Sequence, residues 1–215
     1  MPAPTLQVRL FLMRNPRRTT KLRRSSVKAG VDTKMMSEPP ADGIKLHIGG
    51  WEQREGWKIL DAIPGPIVDY VGNCTDLTFL DDESCCEVYA SHVLEHLGYN
   101  GELQSTLKGI YRILKPGGRL RVSVPDLETL CKIYVHPNVT PQGRFHVMRM
   151  MFGGRTTPYD VHYSGLDTAI LGSFLHEAGF REIERVEKFG VFQDTSELRF
   201  SDTLISLNMI ARKPF

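Results

Sequence analysis

The chain predicts an α/β fold on a mainly parallel sheet, and three observations predict it. Glu87-Val88-Tyr89-Ala90-Ser91-His92-Val93-Leu94-Glu95-His96-Leu97 reads as an apolar strand, a polar turn and the start of a helix. Leu114-Lys115-Pro116-Gly117-Gly118-Arg119-Leu120 closes a helix at Lys-Pro-Gly-Gly and re-enters an apolar strand. Strand–helix–strand units place their strands parallel and their ligands at the strands' carboxyl ends. The third observation is the pair of late apolar runs, Ile183 to Val186 and Leu204 to Ile210, whose link is too short for a crossover helix. They should pair antiparallel.

In chain order, Ile44-Lys45-Leu46-His47-Ile48 alternates as a strand and stops at Gly49-Gly50. Trp57 to Leu60 is a second strand, ending at Asp61 and broken by Pro64-Gly65-Pro66. Ile67 to Val71 is a third, ending near Asn73, and Val88 to Ala90 is the core of a fourth. A helix from about Glu102 carries Leu103, Leu107, Ile110, Tyr111 and Leu114 at helical spacing. Leu120 to Val124 is the fifth strand, followed by a helix over about Leu127 to Tyr134. Residues 136–165 break this rhythm with Pro137, Pro141, Gly143, Gly153, Gly154 and Pro158 around an apolar-basic patch, Met148-Arg149-Met150-Met151. The last helix starts with Asp167 as N-cap and ends at Gly179.

Bulk properties narrow the class. With 215 residues, 41% hydrophobic and 24% charged, the chain has material for one well-filled domain. No apolar run reaches the ~18 residues of a membrane span. Cys74, Cys85, Cys86 and Cys131 show no paired spacing and read as reduced thiols of an intracellular protein. The net charge of +2 conceals an asymmetry: residues 1–40 hold nine Lys/Arg against Asp32 and Glu38, so the arm is +7 and the rest −5. The arm, 1–40, reads as a disordered segment preceding a domain at 41–215. An organelle transit peptide, an inert tail and a nucleic-acid contact all fit its composition. The cytoplasm is the expected location, with import into an organelle the alternative. An acidic body does not suit a long polyanion, so nucleic acid is not the expected partner.

These motifs together resemble the class I S-adenosylmethionine-dependent methyltransferases, and more narrowly small bacterial-type members with SHVLEHL, LKPGGRL and VPDL signatures. The resemblance covers about residues 44–213. It implies a Rossmann-like three-layer sandwich with a seven-stranded, mainly parallel sheet, a C-terminal antiparallel hairpin, and a substrate lid at 136–165. It also implies S-adenosylmethionine as cofactor and an unidentified, small-molecule methyl acceptor. Gly49 and Gly50 would flank the methionine end, although Trp51 stands where the usual second glycine falls. Asp61 matches the acidic position that takes the ribose hydroxyls. Asn73 and Asp76 correspond to the adenine side, with Asx turns as their alternative role, and Ser91 follows the fourth strand. His92, Asp160 and His162 are the candidates to touch the reacting end, where His92 is equally able to be a packed histidine.

Two rival readings remain from the residues. A catalytically degenerate methyltransferase-fold binding protein would follow if Trp51 blocked the cofactor. His92-x-x-Glu95-His96 also spells the H-x-x-E-H pattern of a zinc peptidase. That pattern needs both histidines on one helical face and a third protein ligand. With His92 in the turn after a strand, no metal is expected.

Overall fold

The computed structural model describes residues 38–215. The basic arm expected at 1–40 thus lies outside the described residues except for its last three. The strands are β1 (Ile44–Ile48), β2 (Trp57–Asp61), β3 (Tyr70–Val71), β4 (Cys85–Ser91), β5 (Leu114–Pro125), β6 (Arg181–Val186), β7 (Arg199–Phe200), β8 (Thr203–Leu204) and β9 (Ser206–Arg212). The α-helices are α1 (Glu102–Ile113), α2 (Leu127–Val135), α3 (Pro141–Phe152) and α4 (Thr168–Glu177).

Seven strands form one sheet in the order β3-β2-β1-β4-β5-β9-β6, while β7 and β8 make a separate two-stranded ribbon. The first five strands run parallel, and β9 lies antiparallel between β5 and β6. The expected antiparallel pair is therefore present, with Arg185 opposite Met209. β4 is buried along almost its whole length, as the centre of a parallel sheet requires.

Alternation along the strands assigns the two faces. Leu46, Ile48, Val88, Ala90, Leu120, Val122, Leu207 and Met209 face one way and join a single aliphatic core with Leu103, Leu107 and Ile110 of α1 and Leu171 and Leu175 of α4. Those helix residues recur every three or four positions, so each helix buries one stripe. Asp167 caps α4 through Oδ1, which accepts from the N–H groups of Ala169 (2.9 Å) and Ile170 (2.8 Å). The opposite face, with His47, Trp57 and Tyr89, is covered by Phe189 and Phe192 of the segment leading to β7.

Three differences from the sequence reading have physical causes. Segments 49–56, 62–69 and 72–84, which join β1, β2, β3 and β4, carry no helix, so loop rather than helix covers that part of the second face. β3 is only two residues long, because the chain before it turns over residues 65–68, where Val68 N–H donates to Gly65 O at 3.2 Å. Residues 141–152, read as irregular, form α3. Thr140 caps it, accepting from Gly143 N–H at 3.1 Å, and Pro141 sits at the first turn, where no donor is lost. α3 packs on α2 around Leu130, Val147 and Ile205. Among the described residues, no helix is long and apolar enough to cross a membrane.

Candidate functional site

The strand order brings the carboxyl ends of β2, β1 and β4 side by side, and a cavity of about 480 Å³ opens there. Gly49, Asp61, Asn73 and His92 line it from the sheet, and Thr157, Pro158, Tyr159, Asp160 and Tyr163 line it from the segment above. That volume falls within the roughly 300–1,000 Å³ of small-ligand pockets.

Gly49 follows β1 directly with φ +70°, and its N–H donates to Leu60 O at 2.8 Å. A Cβ at Gly49 would stand 2.7 Å from Val93 Cγ2, so a side chain there would have to displace Val93 and would be strained at this positive φ. Gly50 faces elsewhere: a Cβ there would meet the His47 imidazole at 2.7 Å. Trp51 is 68% exposed and is not part of the cavity wall. Asp61 ends β2, and its Oδ1 accepts from Ile63 N–H at 2.7 Å, which holds the carboxylate at the rim.

Asn73 lines the cavity while its Oδ1 accepts from Thr75 N–H at 3.1 Å. Asp76 lies off the wall and accepts from the Thr78 hydroxyl (2.6 Å) and N–H (3.0 Å). Those two bonds keep its carboxyl below the usual range. Both residues therefore form Asx turns, and only Asn73 borders the cavity. Ser91 also lies off the wall, with its hydroxyl 3.2 Å from that of Thr195.

His92 holds φ +53°, a backbone state rare outside glycine, which swings its ring toward the cavity. Its Nε2 lies 3.0 Å from Ser206 Oγ, and Ser206 Oγ in turn donates to Thr195 O at 2.7 Å. The hydroxyl proton is thus committed, so His92 Nε2 is the donor and Nδ1 carries the lone pair. Nδ1 faces Glu95 Oε1 at 3.4 Å. Burial, followed by the neighbouring His162, lowers the His92 pKa to about 4. Burial likewise pushes the Glu95 carboxyl up to about 8, against the pull of its own backbone N–H. Although the distance is that of an ion pair, both groups are neutral at pH 7. The proton resides on the carboxyl.

The upper wall is pinned to the short 3-10 turn Leu94–His96. The N–H groups of Tyr163 and Ser164 donate to Glu95 O (2.9 and 3.1 Å), and the Ser164 hydroxyl donates to Leu97 O at 2.6 Å. Burial raises the Asp160 pKa, but bonds from the Thr156 hydroxyl and from the N–H groups of Thr156 and Gly154 outweigh it and hold the carboxyl low. Asp160 therefore closes its own loop with the same carboxylate that borders the cavity. His162 is off the wall, its ring 4.9 Å from that of His96 in an edge-on arrangement. Burial and then His96 lower its pKa, so its imidazole is neutral at pH 7.

The structure thus brings together Gly49, Asp61, Asn73, His92 and Asp160, and leaves Gly50, Asp76, Ser91 and His162 outside the wall. Tyr159 and Tyr163 are wall residues that sequence reasoning did not single out. The signal available was the aromatic pair flanking Asp160 and His162.

Residues 53–122, about a third of the chain and spanning β2 to most of β5, match the sequence profile of a family described as a methyltransferase domain. Among solved structures, a SAM-dependent methyltransferase from Archaeoglobus fulgidus superposes with a TM-score of 0.51 at 17% identity, over 82% of this chain and 88% of that one. A 1,6-didemethyltoxoflavin-N1-methyltransferase from Burkholderia thailandensis, with bound 1,6-didemethyltoxoflavin and S-adenosylhomocysteine, gives 0.51 at 18% identity over 81% and 72%. The chain has the fold of S-adenosylmethionine-dependent methyltransferases. A possible exported protein of Bordetella parapertussis also gives 0.51, at 13% identity, and the chain spans only 63% of its length. No curated protein matches the chain significantly in sequence.

Proposed function

We propose that the protein is an S-adenosylmethionine-dependent methyltransferase acting on a small-molecule acceptor. One observation carries this reading: the cavity at the carboxyl ends of β1, β2 and β4, walled by Gly49 at one strand end and Asp61 at the next. In open α/β sheets this crevice is where nucleoside ligands bind, with an acidic residue at the second strand taking the ribose hydroxyls. The residues fit such a ligand. Gly49 borders the cavity as bare backbone, and Asp61 presents there a carboxylate that accepts from the Ile63 N–H.

The cofactor, when bound, supplies a methyl group on a sulfonium that leaves by in-line displacement. Asp61 binds the ribose, the Gly49 turn admits the methionine end, and Asn73 borders the adenine. Gly50, Asp76 and Ser91 support these loops from outside the wall. Tyr159, Asp160 and Tyr163 exclude water from above, with Asp160 ordering the loop. His92 borders the reacting end as a neutral imidazole, which orients the acceptor without adding charge beside a sulfonium, while His162 stands behind the wall. Free thiols at Cys74, Cys85, Cys86 and Cys131 support a cytoplasmic setting. The rival reading, a degenerate binding protein, rests on Trp51 filling the site, and the outward Trp51 gives it no support.

Calorimetry with S-adenosylhomocysteine tests the proposal. Folded protein should bind it, and Asp61→Ala should weaken binding at least tenfold, since one lost charge-assisted bond of roughly 1.5–3 kcal/mol exceeds the ~1.4 kcal/mol of a decade. Absence of heat at millimolar ligand would end the methyltransferase reading. An unchanged affinity in Asp61→Ala would move the site elsewhere.

A further inference from the structure

The buried end of the lid contains a group of side chains that the methyl-transfer reading does not require. Glu95, His96 and His162 each place one ligating atom within 4.8 Å of the other two. Two of them sit on the 3-10 turn after β4 and the third comes from the segment above, drawn in by the bonds from Tyr163 and Ser164 to Glu95 O. Glu95 is 1% exposed and neither carboxyl oxygen makes a hydrogen bond, the facing His92 Nδ1 standing at 3.4 Å from Oε1. A buried carboxyl without partners is costly, and native proteins satisfy such groups with a donor, a water or a cation.

His96 is held as a metal ligand is. His96 Nδ1 lies 3.0 Å from Val161 O, to which it donates, leaving the lone pair on Nε2. The His162 ring packs edge-on against that of His96, with their centroids 4.9 Å apart. A ring N–H anchored on a backbone carbonyl fixes the tautomer and aims the other nitrogen, the usual outer support of a ligating histidine. His92 falls outside the group of three whose ligating atoms lie within 4.8 Å of one another, although its Nδ1 faces Glu95 Oε1 at 3.4 Å. It stands behind Glu95 instead.

We propose that Glu95, His96 and His162 form a binding site for a divalent transition-metal ion, with zinc the best match to two imidazoles and one carboxylate. Three protein ligands leave a fourth position open. His96 is itself on the cavity wall, so that position borders the cavity and suits an oxygen or nitrogen atom of the bound acceptor. A tetrahedral ion at ~2.1 Å from each ligand sets them about 3.4 Å apart, so the side chains close inward by roughly an ångström on binding. The site differs from the H-x-x-E-H pattern of a helical peptidase. One histidine of that pattern is excluded, and the third ligand comes from 66 positions after His96, where no local spacing could reveal it.

The test needs neither cofactor nor acceptor, so its failure is separate from any failure of the methyltransferase reading. Full-length protein stripped with a chelator is titrated with zinc by calorimetry and with cobalt(II) by visible absorption. One ion per chain is expected, with the intense bands of tetrahedral cobalt. His162→Ala and His96→Ala should each lower zinc affinity by roughly 100-fold, in line with the dependence of such sites on every ligand. His146→Ala, exposed on α3, should leave it unchanged. Absence of binding by the wild-type chain overturns the site, as does an affinity unaltered in folded His162→Ala. The wild-type spectrum decides the question even where a variant fails to fold: octahedral or absent cobalt bands count against it.

Discussion

The two faces of the sheet are built on opposite chemistry. The face under α1 and α4 is aliphatic and closes with Leu, Ile and Val alone over most of its extent. The other face carries His47, Trp57 and Tyr89 beside the charged row Glu87, Arg119 and Arg121, under a loop instead of helices. The aliphatic face gains its stability from non-directional burial, which tolerates small changes of shape. The polar face depends on partners, so it should be the part of the molecule that fails when one partner is removed.

The largest effect expected on that basis is at Glu87. Its carboxylate is 4% exposed and accepts from Arg119 Nε at 2.9 Å and Arg121 Nε at 2.6 Å, while Arg121 also lies over the Phe189 ring. Glu87→Ala strands two largely buried guanidinium groups and should cost about 3–5 kcal/mol. Urea unfolding measures it. A loss under ~1 kcal/mol would show that water reaches these arginines and that the faces differ less than their composition suggests.

This contrast was only half legible in the sequence. Strict alternation in Ile44-Lys45-Leu46-His47-Ile48 told which residues share a face, and helical spacing at Leu103, Leu107 and Ile110 told what covers one of them. What covers the other was hidden, because Phe189 and Phe192 lie in a segment with no period and meet Tyr89 only through long-range folding. α3 was hidden because its apolar residues are scattered around the helix and only Val147 is buried. At the site, Gly49 and Asp61 were readable as residues ending adjacent parallel strands. The placement of Gly50 against His47, and the meeting of His96 with His162, depend on distances that no motif encodes.

The next effect is a pH dependence confined to the polar face. His47 is 2% exposed, ringed by Trp57, Tyr89 and Phe192, with Nδ1 unbonded. Burial lowers its pKa to about 4, and Asp194 offsets this only in part. The other polar groups at this cluster are the Tyr89 hydroxyl, bonded to Asp194, and Arg54 over Phe192. The unfolded chain takes up a proton near pH 6.5, and the folded chain does so only near 4. Stability is therefore fully present above about 6.5 and falls as the pH drops toward 4, by about 3 kcal/mol from this residue. His47→Leu should remove that part of the acid limb relative to wild type, leaving the similar contribution of His92. Superimposable pH profiles would mean that the ring is hydrated.

The smallest effect should come from the aliphatic face and sets the scale for the others. Ile110 lies on α1 with no accessible surface, among Leu, Val and Phe side chains and with no polar atom to satisfy. Ile110→Val deletes one methylene and leaves a cavity smaller than a water molecule, so neither desolvation nor a lost partner adds to the transfer term. A cost of about 0.5–1.5 kcal/mol is expected, unchanged between pH 4 and 8 because the substitution alters neither a charge nor a hydrogen bond. Denaturant unfolding at both pH values measures it. A cost that grew at low pH would show that the two faces are coupled through β1 and β4, whose residues alternate between them, and that the polar face loosens its neighbour when His47 is protonated.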